Sequence, residues 1–285
     1  MTKKPQESDN NSDFDVIAPN VSQEHPAPIS KKAERSARQV DNLKQVNDKR
    51  WGPARAEKQK FHLNQQQYDV LIGCMLSDAT MRWTSGLNSE VEACVVKFEH
   101  QYKHKPYVDF LYELFKPFIG SPPRIRYKYG TNDPHSYHVA TLTHPDFVPI
   151  YKMFYHTVEG KRVKKVPDNI ETLLTPLALA HFFMGDGSFN RVKTSKQGEP
   201  AVYRMASYCL NTHSFTREEN ERLCEVLLKK YNINSTIQQD GTKGGSGSPM
   251  WRIYIGASNR RKFVSVIKDH LHPVFLYKVD PNKLE

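Results

Sequence analysis

Apolar segments and short polar turns alternate along the chain from Tyr68 onward, and the same succession of segments occurs twice. Each copy opens with a short apolar stretch that ends in an acid, LIGCMLSDA at 71–79 and LAHFFMGDG at 179–187. The spacing of the apolar positions predicts a short helix for each stretch. Either stretch alone is a common helix end, but two of them, each heading a similar block, predict an internal duplication.

Similar segments follow both stretches in the same order. After the first come the strand CVVKFEH, the helix KPYVDFLYELFKPF, the strands RIRYKYG and SYHVATLT, and a helix in HPDFVPIYKMFYH. After the second come the strand VYRMASYCL, the helix FTREENERLCEVLLKKY, the strands NSTIQQD and MWRIYIG, and a helix in NRRKFVSVIKDHL. Thr216 and Glu219 form a capping box that marks the start of the long helix, and DGTKGGSGSP predicts a flexible hairpin loop. This pattern predicts a mixed α+β protein of two halves, residues 61–168 and 169–285.

The first 60 residues lack this pattern. They are polar, poor in large aliphatic side chains, and turn from acidic to basic near Ser30. Such a composition predicts a disordered basic extension with one helix near residues 31–48. A basic arm that lies along phosphates is the functional alternative.

The net charge of the chain indicates the class of binding partner. The chain carries a formal net charge of +10 and a sequence pI near 9.3, which favours a polyanion and, first among these, nucleic acid. No apolar run approaches the roughly 18 residues that span a bilayer, so a membrane protein is not expected. Four widely spaced cysteines, without a zinc-finger pattern, predict reduced thiols in an intracellular protein; the tail does not decide between mitochondrion, chloroplast and other compartments.

The acids that end the two apolar stretches, Asp78 and Asp186, are the candidate catalytic residues. Small residues in both helices would allow close packing that brings the helix ends together: Gly73, Ser77, Ala180 and Gly185. Carboxylates that converge in this way can hold Mg²⁺ against the phosphate oxygens of a nucleic acid. Each copy also closes on a lysine, Lys164 in KKVPDN and Lys278 in FLYKVD.

These residues resemble a known family. LIGCMLSDA and LAHFFMGDG look like degenerate copies of the LAGLIDADG signature, and LLTPLALAHFFMGDGS, VVKFEHQYKHKPYVDFLY and LNTHSFT are similar to single-chain intron-encoded homing endonucleases of the LAGLIDADG type 2 branch. The resemblance covers about residues 64–280. It departs at His181, where the motif usually has a small residue, and we therefore expect a looser or turned helix interface there.

The resemblance implies a fold and a set of roles. It implies two pseudo-symmetric αββαββα halves, an antiparallel saddle on double-stranded DNA, and a monomer. Asp78 and Asp186 would bind the metal, and Lys164 and Lys278 would flank the active centres, polarising water or screening transition-state charge.

The strands supply candidate DNA contacts. RIRYKYG alternates, with Arg124, Arg126 and Lys128 on one face and Ile125, Tyr127 and Tyr129 on the other, as in a half-buried ribbon with a basic side. In the second half the candidates at comparable positions are Arg204, Gln238, Lys243 and Arg252. Gln and Arg can make bidentate contacts with adenine and guanine edges.

The function predicted from these features is site-specific hydrolysis of both strands of a long asymmetric DNA target with Mg²⁺, in the service of intron homing. Two alternatives stay open. One is an RNA maturase that binds its host group I intron and assists splicing; the other is a DNA-binding protein that has lost cleavage. The presence of both acids and both lysines favours the nuclease, because RNA binding needs none of them.

Overall fold

A computed structural model of the chain describes residues 57–58, 60–84, 92–195, 202–242 and 247–279. The expected helix near 31–48 and the candidate DNA contact Lys243 lie outside these residues. Among the described residues no helix is both long enough and apolar enough to cross a lipid bilayer.

The first half follows the order αββαββα. Its elements are α1 (Gln65–Leu76), β1 (Thr80–Trp83), β2 (Cys94–Gln101), α2 (Lys105–Leu114), β3 (Arg124–Tyr127), β4 (Pro134–Ala140) and α3 (Phe147–Phe154). Asn64 begins α1 through a capping box with Gln67. The four strands form one antiparallel sheet in the order β1-β2-β4-β3.

An additional hairpin and a short helix lie between the halves. The hairpin pairs β5 (Tyr155–Val158) with β6 (Lys161–Lys164), and α4 (Ile170–Leu173) follows. The helix predicted in HPDFVPIYKMFYH is α3, which ends at Phe154, where the chain continues directly into β5. Turn residues Glu159 and Gly160, with φ of 49° and 74°, close the hairpin.

The second half repeats the order αββαββα. Its elements are α5 (Pro176–Asp186), β7 (Gly187–Lys193), β8 (Tyr203–Leu210), α6 (Arg217–Tyr231), β9 (Thr236–Thr242), β10 (Pro249–Ile255) and α7 (Arg260–Ile267). The sheet order, β7-β8-β10-β9, matches that of the first half. The predicted capping box of Thr216 and Glu219 is present at the start of α6. The two-half fold is thus confirmed, while the boundary at residues 168 and 169 stays a prediction.

The helices α1 and α5 pack face to face and join the halves. A Cβ on Gly73 would lie 2.6 Å from the Cβ of His181, and closer still to the carbonyl oxygen of Ala178. The interface at His181 is therefore tight, and the expectation of a looser one is wrong. His181 fits because the opposing residue has no side chain, and its Nδ1 lies 2.6 Å from the hydroxyl of Tyr107.

The first motif helix ends before its acid, earlier than predicted, whereas the second ends at its acid as predicted. The helix α1 stops at Leu76, so Ser77, Asp78 and Ala79 lie beyond it, and α5 stops at Asp186. The amide of Ala79 donates to the carbonyl of Cys74 at 2.9 Å, which turns the chain at once into β1. Each acid therefore lies where a helix gives way to the first strand of a sheet.

Candidate active site at the base of the paired helices

The acids Asp78 and Asp186 come together at the ends of α1 and α5. A Cβ on Gly185 would lie 2.6 Å from the Cβ of Ser77 and 3.5 Å from Oδ2 of Asp78. Close approach of the two helix ends thus depends on Gly185, as the small residues at these positions predict. Both carboxylates open on one cavity of about 440 Å³.

The electrostatic environment of the two acids differs. Burial raises the pKa of Asp186 to about 7, and repulsion from Asp78 adds to the rise, while Lys164 and Lys278 oppose it. Burial also raises the pKa of Asp78, and the same two lysines oppose that rise. Two carboxylates held close together in a partly buried site are a place where a cation is electrostatically favoured.

The two lysines predicted as active-site residues reach the ends of the two motif helices. Nζ of Lys164 donates to the carbonyls of Ser77 and Ala79 at 2.8 and 3.1 Å. Nζ of Lys278 donates to the carbonyls of Phe183, Met184 and Gly187 at 3.1, 2.8 and 2.6 Å. Each ammonium therefore binds carbonyls around the acid of its own half, although Lys164 has its strongest electrostatic interaction with Asp186.

Burial lowers the pKa of both lysines to about 8, although Asp78 and Asp186 each act to raise it. Lys278 is 6% exposed and lies against the rings of Phe183 and Phe275. A pKa near 8 leaves each lysine mostly protonated at neutral pH, yet able to lose its proton at little cost. The site thus combines two acids that can bind a cation with two ammonium groups whose pKa values are lowered.

Residues of β2 and its surroundings form the remainder of the cavity wall, and the sequence pattern assigned them no role. They are Glu99, His100, Gln101, Lys103, His104, His135 and Ser136. Of these residues, His100 contacts a candidate catalytic acid directly: its Nδ1 lies 3.3 Å from Oδ2 of Asp78. Burial and the charge of Lys278 lower the pKa of His100 to about 4, so the imidazole is neutral. The signal was present in the quoted motif stretch VVKFEHQYKH, but a histidine inside a strand does not by itself indicate a site.

The first sheet turns one face to the helices and the other outward. Phe98 and Val139 belong to the buried face, so Arg124 and Arg126, which pair with His138 and Ser136, lie on the outer face.

Two parts of the predicted ribbon are wrong. Strand β3 ends at Tyr127 with irregular pairing, so Lys128 and Tyr129 lie in the turn beyond it. Tyr127 is also half-exposed and Tyr129 fully exposed, so neither provides the expected buried side.

An acid organises the basic side chains of this outer face. Glu99 pairs with Arg126 at 3.1 Å, accepts a hydrogen bond from Ser136 at 2.6 Å, and contacts the ammonium of Lys97. Although burial opposes it, these bonds hold the pKa of Glu99 below its usual range. Lys128 faces Asp133 at 4.0 Å in the turn.

The second sheet repeats this arrangement at its own outer face. Gln238 and Arg252 are paired across β9 and β10, on the side opposite to the buried Ile253. Arg252 pairs with Asp240 at 3.1 Å, and Asp240 also lies 2.9 Å from His213. Arg204 is exposed at the far end of β8, where an irregularity in the pairing with β7 reverses the alternation, and it shares a cleft with Arg260 and Arg261 of α7.

Comparison with known proteins decides the family. The model of the LAGLIDADG DNA endonuclease family matches residues 68–263, which include both sheets and both acids. The chain belongs to the LAGLIDADG DNA endonuclease family. Within that family, it is 31% identical over 234 residues to DNA endonuclease I-ChuI of Chlamydomonas applanata, an alignment that covers 78% of this chain and 98% of the relative.

Two further proteins similar to this chain bear on its fold and function. The solved structure of the homing endonuclease I-WcaI bound to its DNA recognition sequence has a TM-score of 0.60 and 25% identity, over 79% of this chain and 90% of that one. Cytochrome b mRNA maturase bI2 of Debaryomyces hansenii is 26% identical over 223 residues, covering 76% of this chain and 74% of the relative. Membership in the family makes this chain a homing endonuclease with DNA as its substrate, and the nuclease is favoured over the maturase.

Proposed function

We propose that this protein cuts both strands of a long asymmetric DNA site with Mg²⁺ held by Asp78 and Asp186, and that it promotes homing of its own intron. The observation that carries the proposal is the convergence of these two acids at the base of the α1–α5 pair, with Lys164 and Lys278 around them. I-WcaI, which has the same fold, is a homing endonuclease bound to its DNA recognition sequence.

The residues at the site fit a magnesium ion. Among the described residues no cluster of three or more His, Cys, Asp or Glu side chains could hold a metal alone. Mg²⁺ prefers oxygen ligands and is commonly held by one or two carboxylates, while water and substrate phosphates complete its shell. Two carboxylates whose pKa values are raised by burial, and which repel one another when no cation is bound, meet that description. When bound, the ion would activate water and stabilise the leaving oxygen of a phosphodiester.

The protein's own groups supply the other parts of the reaction. Lys164 and Lys278 would supply positive charge near a phosphate bound against the two acids, and fixed charges of this kind stabilise a transition state without reorganisation. The outer faces of the two sheets would bind the duplex on either side. Their basic residues include Arg124 and Arg126 in the first half and Arg204 and Arg252 in the second.

The two outer faces differ, which supports a target without a palindrome. Arg124 pairs across its sheet with His138, whereas in the second half Gln238 pairs with Arg252. A monomer with two unlike faces reads two unlike half-sites, because bases are distinguished by the pattern of donors and acceptors opposite them.

Cleavage selection tests the proposal. Purified protein is incubated with Mg²⁺ and a library of long duplexes, and cut molecules are recovered by ligation to adaptors. We expect one asymmetric sequence to be enriched, cut in both strands, and left intact by protein treated with EDTA or carrying Asp78→Asn. Tight binding of a duplex without any cutting would instead identify a DNA-binding protein that has lost cleavage.

The maturase alternative has a separate outcome. Binding of the host intron RNA, with faster splicing and no cleavage of any duplex, would overturn the proposal. Asp78→Asn again serves as the control, because an RNA-binding role does not require this carboxylate.

The dependence on Mg²⁺ is expected to vary with pH. Asp186 must lose its proton to bind a cation, and its pKa is raised to about 7. Between about pH 7 and pH 6, the Mg²⁺ concentration for half-maximal cleavage should therefore rise about fivefold, and above about pH 7 it should level off. Cleavage rates over a Mg²⁺ series at each pH measure this, with metal-free duplex binding as the control. An unchanged Mg²⁺ requirement across this range would contradict the assigned role of Asp186.

A further inference from the structure

The two carboxylates of the site have different partners. Asp78 has the imidazole of His100, with Nδ1 3.3 Å from its Oδ2. The Asp186 carboxylate makes no hydrogen bond or ion pair with any side chain that the structure describes, and outside its helix the residue is held through its backbone carbonyl, which accepts from the amide of Asn211 at 2.9 Å. The pseudo-symmetry of the two halves thus stops at the atoms that touch the acids.

Strand register identifies the residue that corresponds to His100. Two residues after Asp78, Thr80 pairs with Lys97; two residues after Asp186, Ser188 pairs with Cys209. Lys97 and Cys209 are therefore equivalent, and three residues further along lie His100 and Thr212. Thr212 is also buried, but its hydroxyl is bonded to Asn220 and, at 3.2 Å, to the carbonyl of Trp251. It is committed to the packing of α6 and β10 and offers nothing to Asp186.

The imidazole of His100 is held in place by aromatic side chains from both halves. Its ring lies edge-on to Tyr107, with centroids 4.9 Å apart, and 6.4 Å from that of Phe275. His100 is only 8% exposed. An ionised carboxylate only accepts hydrogen bonds, so the tautomer of His100 with its proton on Nδ1 is the one that can donate to Asp78. A donor held in place in this way would orient the carboxylate, as outer-shell groups orient metal ligands.

We propose that His100 is a positioning residue that orients the carboxylate of Asp78, and that it makes the two metal-binding acids of this nuclease inequivalent. The inference rests on the function proposed above. In that function each of the two acids would lie nearer to the scissile phosphate of one strand, so cutting of the strand nearer to Asp78 should depend on His100 more than cutting of the other. Loss of the donor should therefore slow cutting of one strand more than the other, so that nicked duplex accumulates.

Two substitutions separate positioning from packing. His100→Asn keeps a nitrogen donor near the place of Nδ1 but loses most of the ring. His100→Phe keeps a ring against Tyr107 and Phe275 but has no donor. A purely structural role predicts that Phe is the better replacement, whereas positioning predicts that Asn is. The matched control is His272→Asn: the ring of His272 also packs against Tyr107, with centroids 5.7 Å apart, but lies outside the cavity, and asparagine keeps an acceptor for the amide of Val274.

The experiment follows the two strands with different labels over a Mg²⁺ series. For His100→Phe we expect a melting temperature near that of the unchanged protein, but an increase of about 10-fold or more in the Mg²⁺ concentration needed to cut one strand. His100→Asn should melt earlier and require less Mg²⁺ than the Phe variant. His272→Asn should leave the cutting of both strands unaffected.

A measurement without catalysis completes the test. Calorimetric titration of each DNA-free protein with Mg²⁺ alone should give weaker binding for His100→Phe than for His100→Asn. Equal binding and equal strand rates for these two variants would overturn the inference while leaving the proposed function intact. If the unchanged protein cuts no duplex, the proposed function fails, and the calorimetric order of the two variants still decides whether His100 positions Asp78.

Discussion

Replacement of Asp186 by asparagine is expected to lower cleavage of the target by about a thousandfold or more. The carboxylate is one of two that would hold the metal, and loss of metal-supported charge stabilisation corresponds to several kcal/mol, at about 1.4 kcal/mol per tenfold change in rate. Duplex binding without metal should be retained or become tighter, because the change removes a negative charge from a surface that faces phosphates. Single-turnover cleavage and an electrophoretic binding assay measure the two effects.

Asp269→Asn is the matched control for this prediction. Asp269 is an exposed acid of the same half, in the 3₁₀ helix Lys268–His270 that follows α7, outside the cavity that holds the two acids. It should change neither cleavage nor binding. Retention of cleavage by the Asp186 variant would refute its assignment as a metal ligand.

Replacement of Gly73 by alanine should unfold part of the helix interface. The added methyl group would meet the backbone carbonyl oxygen of Ala178 and the Cβ of His181, neither of which can move without moving α5. We expect a loss of about 1–3 kcal/mol or more in the free energy of unfolding, seen as a fall of roughly 2–4 °C in melting temperature per kcal/mol. The cleavage rate of the protein that remains folded should also fall, because separation of the helices separates Asp78 from Asp186.

The control for the helix interface is Gly120→Ala. The three atoms nearest to a Cβ there all belong to the side chain of Leu142, which can change its rotamer. Its melting temperature should therefore fall less. An equal fall in melting temperature for the two variants would show that Gly73 is not required for the close approach of α1 and α5.

Local patterns along the chain predict much of this fold. The capping box at Thr216 begins α6 as expected, because it satisfies backbone groups within one turn of helix. The duplication predicts two equivalent halves, and both have the order αββαββα. The pattern fails where contacts between distant segments decide the outcome. Strand β5 follows α3 without a loop because Tyr155 bonds through its hydroxyl to the amide of Met81 in β1, a contact no local pattern contains.

The candidate site was predictable only in part for the same reason. Asp78 and Asp186 are visible because each ends a conspicuous apolar stretch, and the lysines because each closes a repeat. His100, Glu99 and Asp240 are not visible in this way. Their significance lies in a partner on another segment of the chain: Asp78 for His100, Arg126 for Glu99 and Arg252 for Asp240. The order and register of the strands, which sequence periodicity leaves unspecified, bring these segments together.

The hairpin between the halves limits how the molecule can be divided or recombined. Lys164 is the last residue of β6, so the first half obtains its lysine from a segment that comes after its αββαββα unit is complete. The second half obtains Lys278 from the 3₁₀ helix Pro273–Lys278, which also follows its last α-helix. A chimaera joined directly after α3 would therefore inherit a complete sheet and an acid but no ammonium group. Exchange of protein halves between relatives should therefore give an active enzyme only when the junction is placed beyond Lys164.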